Sequence, residues 1–203
     1  MNDARRFAPA TQRNREPILE VMKNYVQPGA HVVEVASGSG EHAIFLASRL
    51  DVRTWQPSDP EAEARESIDA WRAYANEPRV LPAIDLDVTK HPWPIDEADV
   101  VACINMIHIS PWRSCVALLT GAARILRPGG ILYLYGPYRR GGVSTAASNE
   151  AFDQSLRARN PEWGVRDLES VRDEAAIHGL VLDAKDDVVA MPANNLSLVF
   201  RRR

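Results

Sequence analysis

The sequence predicts an α/β fold, a mostly parallel sheet with helices on both faces. Three observations predict it. Strand-like runs alternate with helix-like stretches along the chain. A Gly-x-Gly turn joins the first strand-like run, "HVVEV", to a helical one. Two strand-like segments then close the chain with no helix between them. Together these predict a seven-stranded sheet of order 3-2-1-4-5-7-6, parallel except for the strand near "NLSLVF".

The elements follow in order. "PILEVMKNYVQ", residues 17–27, has apolar positions at helical spacing and opens on a proline suited to a first turn. "PGA" stops it before the first strand. "VRTWQP" is the second strand, and "PEAEARESIDAWRAYA" a helix with Ile68, Trp71 and Tyr74 along one side. "RVLPAIDLDV", "ADVVACINM" and "GGILYLYGP" are strands three to five, with "SCVALLTGAARIL" as the crossover helix between the last two. "AFDQSLRARN" and "RDLESVRDEAAIHG" are further helices. "LVLDAKDDVVAM" and "NLSLVFRRR" are the closing strands, joined through "PANN".

With 203 residues and 45% apolar side chains the chain fits one domain, 1–203, with a real core. A net charge of −3 gives no global attraction to nucleic acid or to an anionic membrane. Cys103 and Cys115 have no metal-ligand spacing, so no metal is expected and both read as buried reduced thiols. The first residues lack an apolar signal core, and no run approaches transmembrane length. A soluble cytoplasmic protein is the expectation.

The glycine turn carries the first chemical signal. Gly38-Ser39-Gly40-Glu41-His42-Ala43 satisfies G-x-G-x-x-[GA], and Asp59 follows Gly40 by 19 positions, a spacing that suits a carboxylate on ribose hydroxyls. This pattern fits a nicotinamide dinucleotide or S-adenosylmethionine (AdoMet) equally.

Neighbouring residues separate the two. Glu34-Val35-Ala36-Ser37-Gly38-Ser39-Gly40 resembles the [DE]-x-G-x-G-x-G motif of class I AdoMet-dependent methyltransferases, with Ala36 in place of the first glycine. "ILRPGGILYLY" looks like the turn into strand five of that superfamily, and the two closing strands occupy the place of its sixth and seventh. Nothing in the chain is left to build a dehydrogenase's substrate domain. Longer words, among them "RRFAPATQRNREPIL", "VASGSGEHA", "NMIHISPW", "STAASN" and "MPANNLSLVFRR", resemble the uncharacterised family that includes methyltransferase-like protein 26.

The resemblance implies a Rossmann-like class I methyltransferase fold, AdoMet as cofactor and S-adenosylhomocysteine as product. It places Glu34 beneath the methionine ammonium and Ala36, Gly38 and Gly40 along the turn. Asp59 would take the ribose diol, Asp87 the adenine amino group and Val88 the ring through its backbone, with Asp85 a competitor one strand period from Asp87. Asn105 would face the methionine end.

Methyl transfer asks mainly for alignment and desolvation, so no obligatory catalytic motif is expected. "NMIH" lacks the Asn/Asp-Pro-Pro-aromatic pattern that holds a planar amino group, and Cys103 follows alanine rather than the proline of a pyrimidine-attacking cysteine. His108 is the candidate base, since imidazole titrates near neutrality. Trp112, Tyr135 and Tyr138 are candidates for an aromatic wall, and Arg139 and Arg140 for holding a carboxylate or phosphate. Arg5, Arg6, Phe7, Asn14 and Arg15 are candidates for a lid within residues 1–16, and Asn194 and Asn195 for polar pocket residues. The expected function is methyl transfer to a small molecule. A non-catalytic AdoMet-binding protein and, more distantly, an NAD(P)-dependent oxidoreductase are the alternatives.

Overall fold

The computed structural model describes residues 3–182 and 187–203. Its central strands are β1 (Ala30–Val35), β2 (Val52–Pro57), β3 (Ala98–Ile104), β4 (Leu126–Arg140) and β9 (Asn195–Arg202). The helices are α1 (Pro9–Met22), α2 (Glu41–Ala47), α3 (Ala62–Ala75), α4 (Trp112–Ile125), α5 (Ala147–Arg159) and α6 (Leu168–Ile177). Short strands β5 (Val143–Ser144), β6 (Arg166–Asp167), β7 (Leu180–Val181) and β8 (Val188–Met191) complete the sheet.

The order is β2-β1-β3-β4-β9-β7, with β8 also paired to β9. β1, β2, β3 and β4 are mutually parallel, and β9 runs antiparallel to β4, β7 and β8. This is the mostly parallel Rossmann-like methyltransferase arrangement that the sequence predicts. The described residues form nine strands where seven were expected. The predicted third strand makes only two parallel bridges, Trp55 to Val80 and Ser58 to Ile84. Pro82 lies between them without an N–H to continue the ladder, and the Gln56 side chain donates to the Pro82 carbonyl. The predicted sixth strand appears as β7 and β8, and its residues 183–186 lie outside the described residues. β5 and β6 extend the carboxyl end of β4.

Side-chain alternation divides the core. Val32, Val100, Ile131 and Tyr133 face α1 and α2, whereas Val33, Val101, Leu132 and Leu134 face α4 and α6. The first helix is also corrected. It begins at Pro9, which takes the first-turn position, and Pro17 lies inside it. Burying Ile18, Leu19, Val21 and Met22 outweighs the roughly 3 kcal/mol an interior proline costs.

Candidate functional site

The glycine turn lies at the carboxyl edge of the sheet, where open α/β folds bind ligands. Ala36, Gly38 and Gly40 all take positive φ, at 55°, 58° and 89°. A Cβ on Gly40 would stand 2.7 Å from the Ile68 Cα, so glycine there lets α3 pack against the start of α2. A Cβ on Gly38 would meet nothing within 4 Å. The turn is therefore open above Gly38, and its backbone is exposed to whatever occupies that space.

Hydrogen bonds fasten this turn to the loop after β2. Ser37 N–H donates to the Ser58 carbonyl at 2.9 Å, and the Ser58 hydroxyl to the Glu34 carbonyl at 2.8 Å. Asp59 is buried. Its Oδ2 accepts from Gly38 N–H and its Oδ1 from Glu61 N–H, each at 3.0 Å. Each oxygen keeps a further lone pair, so the carboxylate is oriented and still able to accept. Glu34 is 2% exposed, with the Trp55 indole donating to Oε2 at 3.0 Å. Burial raises its carboxyl to about 7, against the opposing hydrogen bonds from Trp55 and Ser37, and Asp59 nearby adds to the rise.

Asp87 and Val88 follow the interrupted third strand. Asp87 is half-buried and accepts from the Thr89 amide and hydroxyl at 3.0 and 2.7 Å, bonds that lower its pKa. The Val88 carbonyl accepts from the Trp93 indole at 3.3 Å. Asp85 is exposed and lies 3.7 Å from Arg65. Asn105 ends β3 at φ 66°, its amide donating to the Tyr135 carbonyl at 2.8 Å.

His108, Trp112 and Tyr138, the candidates for a base and an aromatic wall, do not line the pocket that the N-terminal segment reaches. Asn105, Tyr135 and Asn14 line one pocket of about 500 Å³, but Trp112 and Arg139 line another, of about 660 Å³. His108 and Tyr138 are fully buried and meet edge to face, ring centroids 5.0 Å apart. The His108 ring packs over Gly136, where a Cβ would overlap Nε2, and Nδ1 accepts from Arg166 N–H at 3.3 Å. Burial, with Arg166 adding, holds His108 down to about 3, so it is a neutral packed ring. Arg139 pairs with Asp153 at 2.9 Å, and the exposed Asn194 gives its carbonyl to the Asn149 amide.

The N-terminal segment crosses the same edge. Arg5 stacks its guanidinium 3.7 Å from the Tyr74 ring centroid, Phe7 meets Trp71 edge to face at 5.1 Å, and the Arg6 carbonyl accepts from the Trp71 indole at 2.9 Å. Ala8 N–H then donates to Glu41 at 2.6 Å, which ties the segment to the turn before α1 begins. Asn14 Oδ1 lies 2.8 Å from His42 Nε2, and Arg15 covers the Phe45 ring.

Sequence reasoning missed Arg13, Asn149 and Phe152, which also line the 500 Å³ pocket. "STAASN" was a resembling word, but nothing local in it says that α5 would reach the pocket. The residues fit AdoMet. The open space over Gly38 admits a ligand beside the backbone, and Asp59 and Glu34 supply carboxyl groups for a diol and an ammonium. Among the described residues no cluster suits a metal, and no helix is long and apolar enough to cross a membrane.

The family described as "Protein of unknown function (DUF938)" matches residues 5–202. Three solved structures are similar in fold. An O-methyltransferase family protein from Burkholderia thailandensis is 18% identical, with 95% of this chain and 57% of that one covered and a TM-score of 0.79. Human N-acetylserotonin methyltransferase, solved with SAM, is 16% identical, covers 95% and 52%, and has a TM-score of 0.78. A putative sarcosine dimethylglycine methyltransferase from Galdieria sulphuraria is 16% identical, covers 95% and 86%, and has a TM-score of 0.72. The chain thus spans little over half the length of the first two. At these identities the likeness establishes the fold.

Proposed function

We propose that this chain, which belongs to the DUF938 family, is an AdoMet-dependent methyltransferase acting on a small molecule in the cytoplasm. We read residues 1–203 as one domain with residues 1–16 as its lid; of these, residues 1–2 lie outside the described set. The observation that carries the reading is the turn open above Gly38 and clamped to the Asp59 carboxylate at the sheet's carboxyl edge.

When bound, AdoMet supplies a sulfonium-activated methyl carbon, whose displacement leaves S-adenosylhomocysteine. In this reading Asp59 grips the ribose diol with the lone pairs its backbone donors leave free. Glu34 faces the ammonium, Gly40 and Ala36 shape the turn, and Asp87 and Val88 border the adenine. Asn105 marks the methionine end, next to the pocket that takes the acceptor. Tyr135 and Asn14 line that pocket, and the segment Arg5–Arg15 excludes water from above it. His108 enters as a packing ring, because a fully buried imidazole held down to about 3 is a weak base.

Two observations favour a second reading, a binder without turnover. Ala36 is strained where the superfamily motif has glycine, and no histidine or carboxylate lines the 500 Å³ pocket. Calorimetry with AdoMet, S-adenosylhomocysteine and NAD tests the cofactor, with saturable binding expected for the first two. Binding of NAD alone would overturn it. Labelled methyl from AdoMet should then appear in a low-molecular-weight product from pooled metabolites. Tight AdoMet binding with no transfer would make the binder the better account.

A further inference from the structure

The 500 Å³ pocket lies between α1, the carboxyl end of β4 and the start of α5, and its walls are uneven in chemistry. Pro137, Phe152 and Pro192 make an apolar surface. Among the described residues that line it, Arg13 alone carries a charge. Arg13 is exposed, makes no ion pair with a carboxylate among the described residues, and acts electrostatically on the Tyr135 hydroxyl beside it.

A buried histidine supports the pocket from beneath through Asn14. Burial, with Arg15 adding, lowers His42 to about 4, so the ring is neutral. Asn14 Oδ1, 2.8 Å from Nε2, can only accept, so the neutral ring carries its proton on Nε2. The Asn14 side chain neighbours the Tyr135 hydroxyl along the pocket wall, and Asn14 and Arg13 both favour charge on that oxygen against its burial. Tyr135 sets in the pocket wall a hydroxyl able to donate. A donor and an unpaired cation thus stand together above an apolar wall.

We propose that this pocket binds a small monocarboxylate with a flat apolar body, Arg13 pairing its carboxylate and Tyr135 donating to it. Resting on the methyltransferase reading, the inference makes such a carboxylate the methyl acceptor. A hydroxyl or amine at its far end would form the bond to the methyl carbon as the carbon–sulfur bond breaks, S-adenosylhomocysteine keeping that electron pair and water taking the acceptor's proton. The body lies against Phe152 and the prolines, which directs its far end toward Asn105. A carboxylate matches one guanidinium in charge, and a phosphate dianion would leave a charge unmet.

The test is binding of benzoate, benzamide and phenyl phosphate, followed by ligand-observed NMR with and without S-adenosylhomocysteine. Benzoate should bind saturably and more tightly than benzamide. Arg13→Gln should weaken benzoate about tenfold and leave benzamide unchanged. Tyr135→Phe should weaken both, because each offers an oxygen to the hydroxyl. Equal binding of benzoate and benzamide, or an Arg13→Gln variant that binds benzoate normally, overturns the inference. Phenyl phosphate binding more tightly than benzoate overturns the carboxylate assignment. S-adenosylhomocysteine binding in the same samples keeps the two readings apart. Its absence with benzoate preference intact sinks the methyltransferase reading, and its presence without that preference sinks this one.

Discussion

Glu34 and Asp59 are two carboxylates a few residues from one turn, and their surroundings give them different tasks. Asp59 is anchored by two backbone donors, so its geometry is set before any ligand arrives. A hydrogen bond to a charged group is worth about 1.5–3 kcal/mol, so Asp59→Ala should weaken AdoMet binding at least tenfold in calorimetry. A folded variant with an unchanged dissociation constant would remove Asp59 from the site. Glu34 is desolvated with only an indole and a hydroxyl to support its charge. Its folded value of about 7 lies above the model-peptide 4.5, so the folded state holds a proton that the unfolded state has released. That contribution to stability is complete below pH 4.5 and is lost as pH rises through 7. Glu34→Gln keeps an acceptor for Trp55 and removes the ionisation. By urea denaturation it should be more stable than the parent at pH 8, by up to about 3 kcal/mol, with the gap closing toward pH 5. The same change should weaken AdoMet binding. A variant no more stable at pH 8 would mean that Glu34 is solvated in the folded protein.

Elements were legible where local pattern decides them. β2 occupies Val52–Pro57, the predicted "VRTWQP" residue for residue, because alternation and flanking turns both mark it. α6 follows its N-cap, Asp167, whose side chain accepts from Ser170 N–H as capping chemistry anticipates. The third strand misled because β-branched content suggested a ladder that Pro82 interrupts, and α1 because its polar first half hides a stripe of Thr11, Asn14 and Ile18 that only tertiary burial reveals. At the site, the turn and Asp59 were readable from spacing, but Arg13 and Phe152 were not, since they meet only after α1 and α5 dock. The N-terminal segment shows the same dependence on docking. It rests on α3 through Trp71, which contacts Phe7, lies 5.0 Å from the Arg5 guanidinium and donates to the Arg6 carbonyl. Trp71→Ala should free it. Trypsin should then cleave after Arg5 and Arg6 several-fold faster, with little change in Tm because Trp71 lies outside both core clusters. Under the lid reading, AdoMet affinity should fall with it. Unchanged cleavage would show that the segment is held instead by the Ser67 hydroxyl, which accepts from Arg6 N–H at 2.8 Å, and by Glu41.

Across the whole molecule, the two faces of the sheet each enclose a neutral histidine, and β1, leading into the turn at its edge, holds a glutamate that keeps its proton up to about pH 7. The three pull stability in opposite directions. His42 and His108 are held down to about 4 and about 3, first by burial, against a model-peptide value of 6.5. Between pH 5 and 6 the unfolded chain takes up nearly two protons that the folded one refuses. The stability these rings contribute is present above 6.5 and is lost as pH falls toward 4. Glu34 acts with the reverse sign in the same window, holding one proton in the folded state. Two histidines outweigh one glutamate. The unfolding free energy should therefore rise by about 1 kcal/mol per pH unit between pH 5 and 6 and level off near pH 7. Two variants separate the contributions. His42→Gln leaves one histidine against one glutamate, and the slope should fall to about zero. Glu34→Gln removes the opposing group, and the slope should approach 2–3 kcal/mol per unit, the sum of two protons at about 1.4 each. Urea midpoints taken at half-unit steps would read all three slopes from one set of samples. If both variants kept the parent's slope, the pH dependence would belong to other groups, and the assignment of His42 and Glu34 as the buried titrating pair would be wrong.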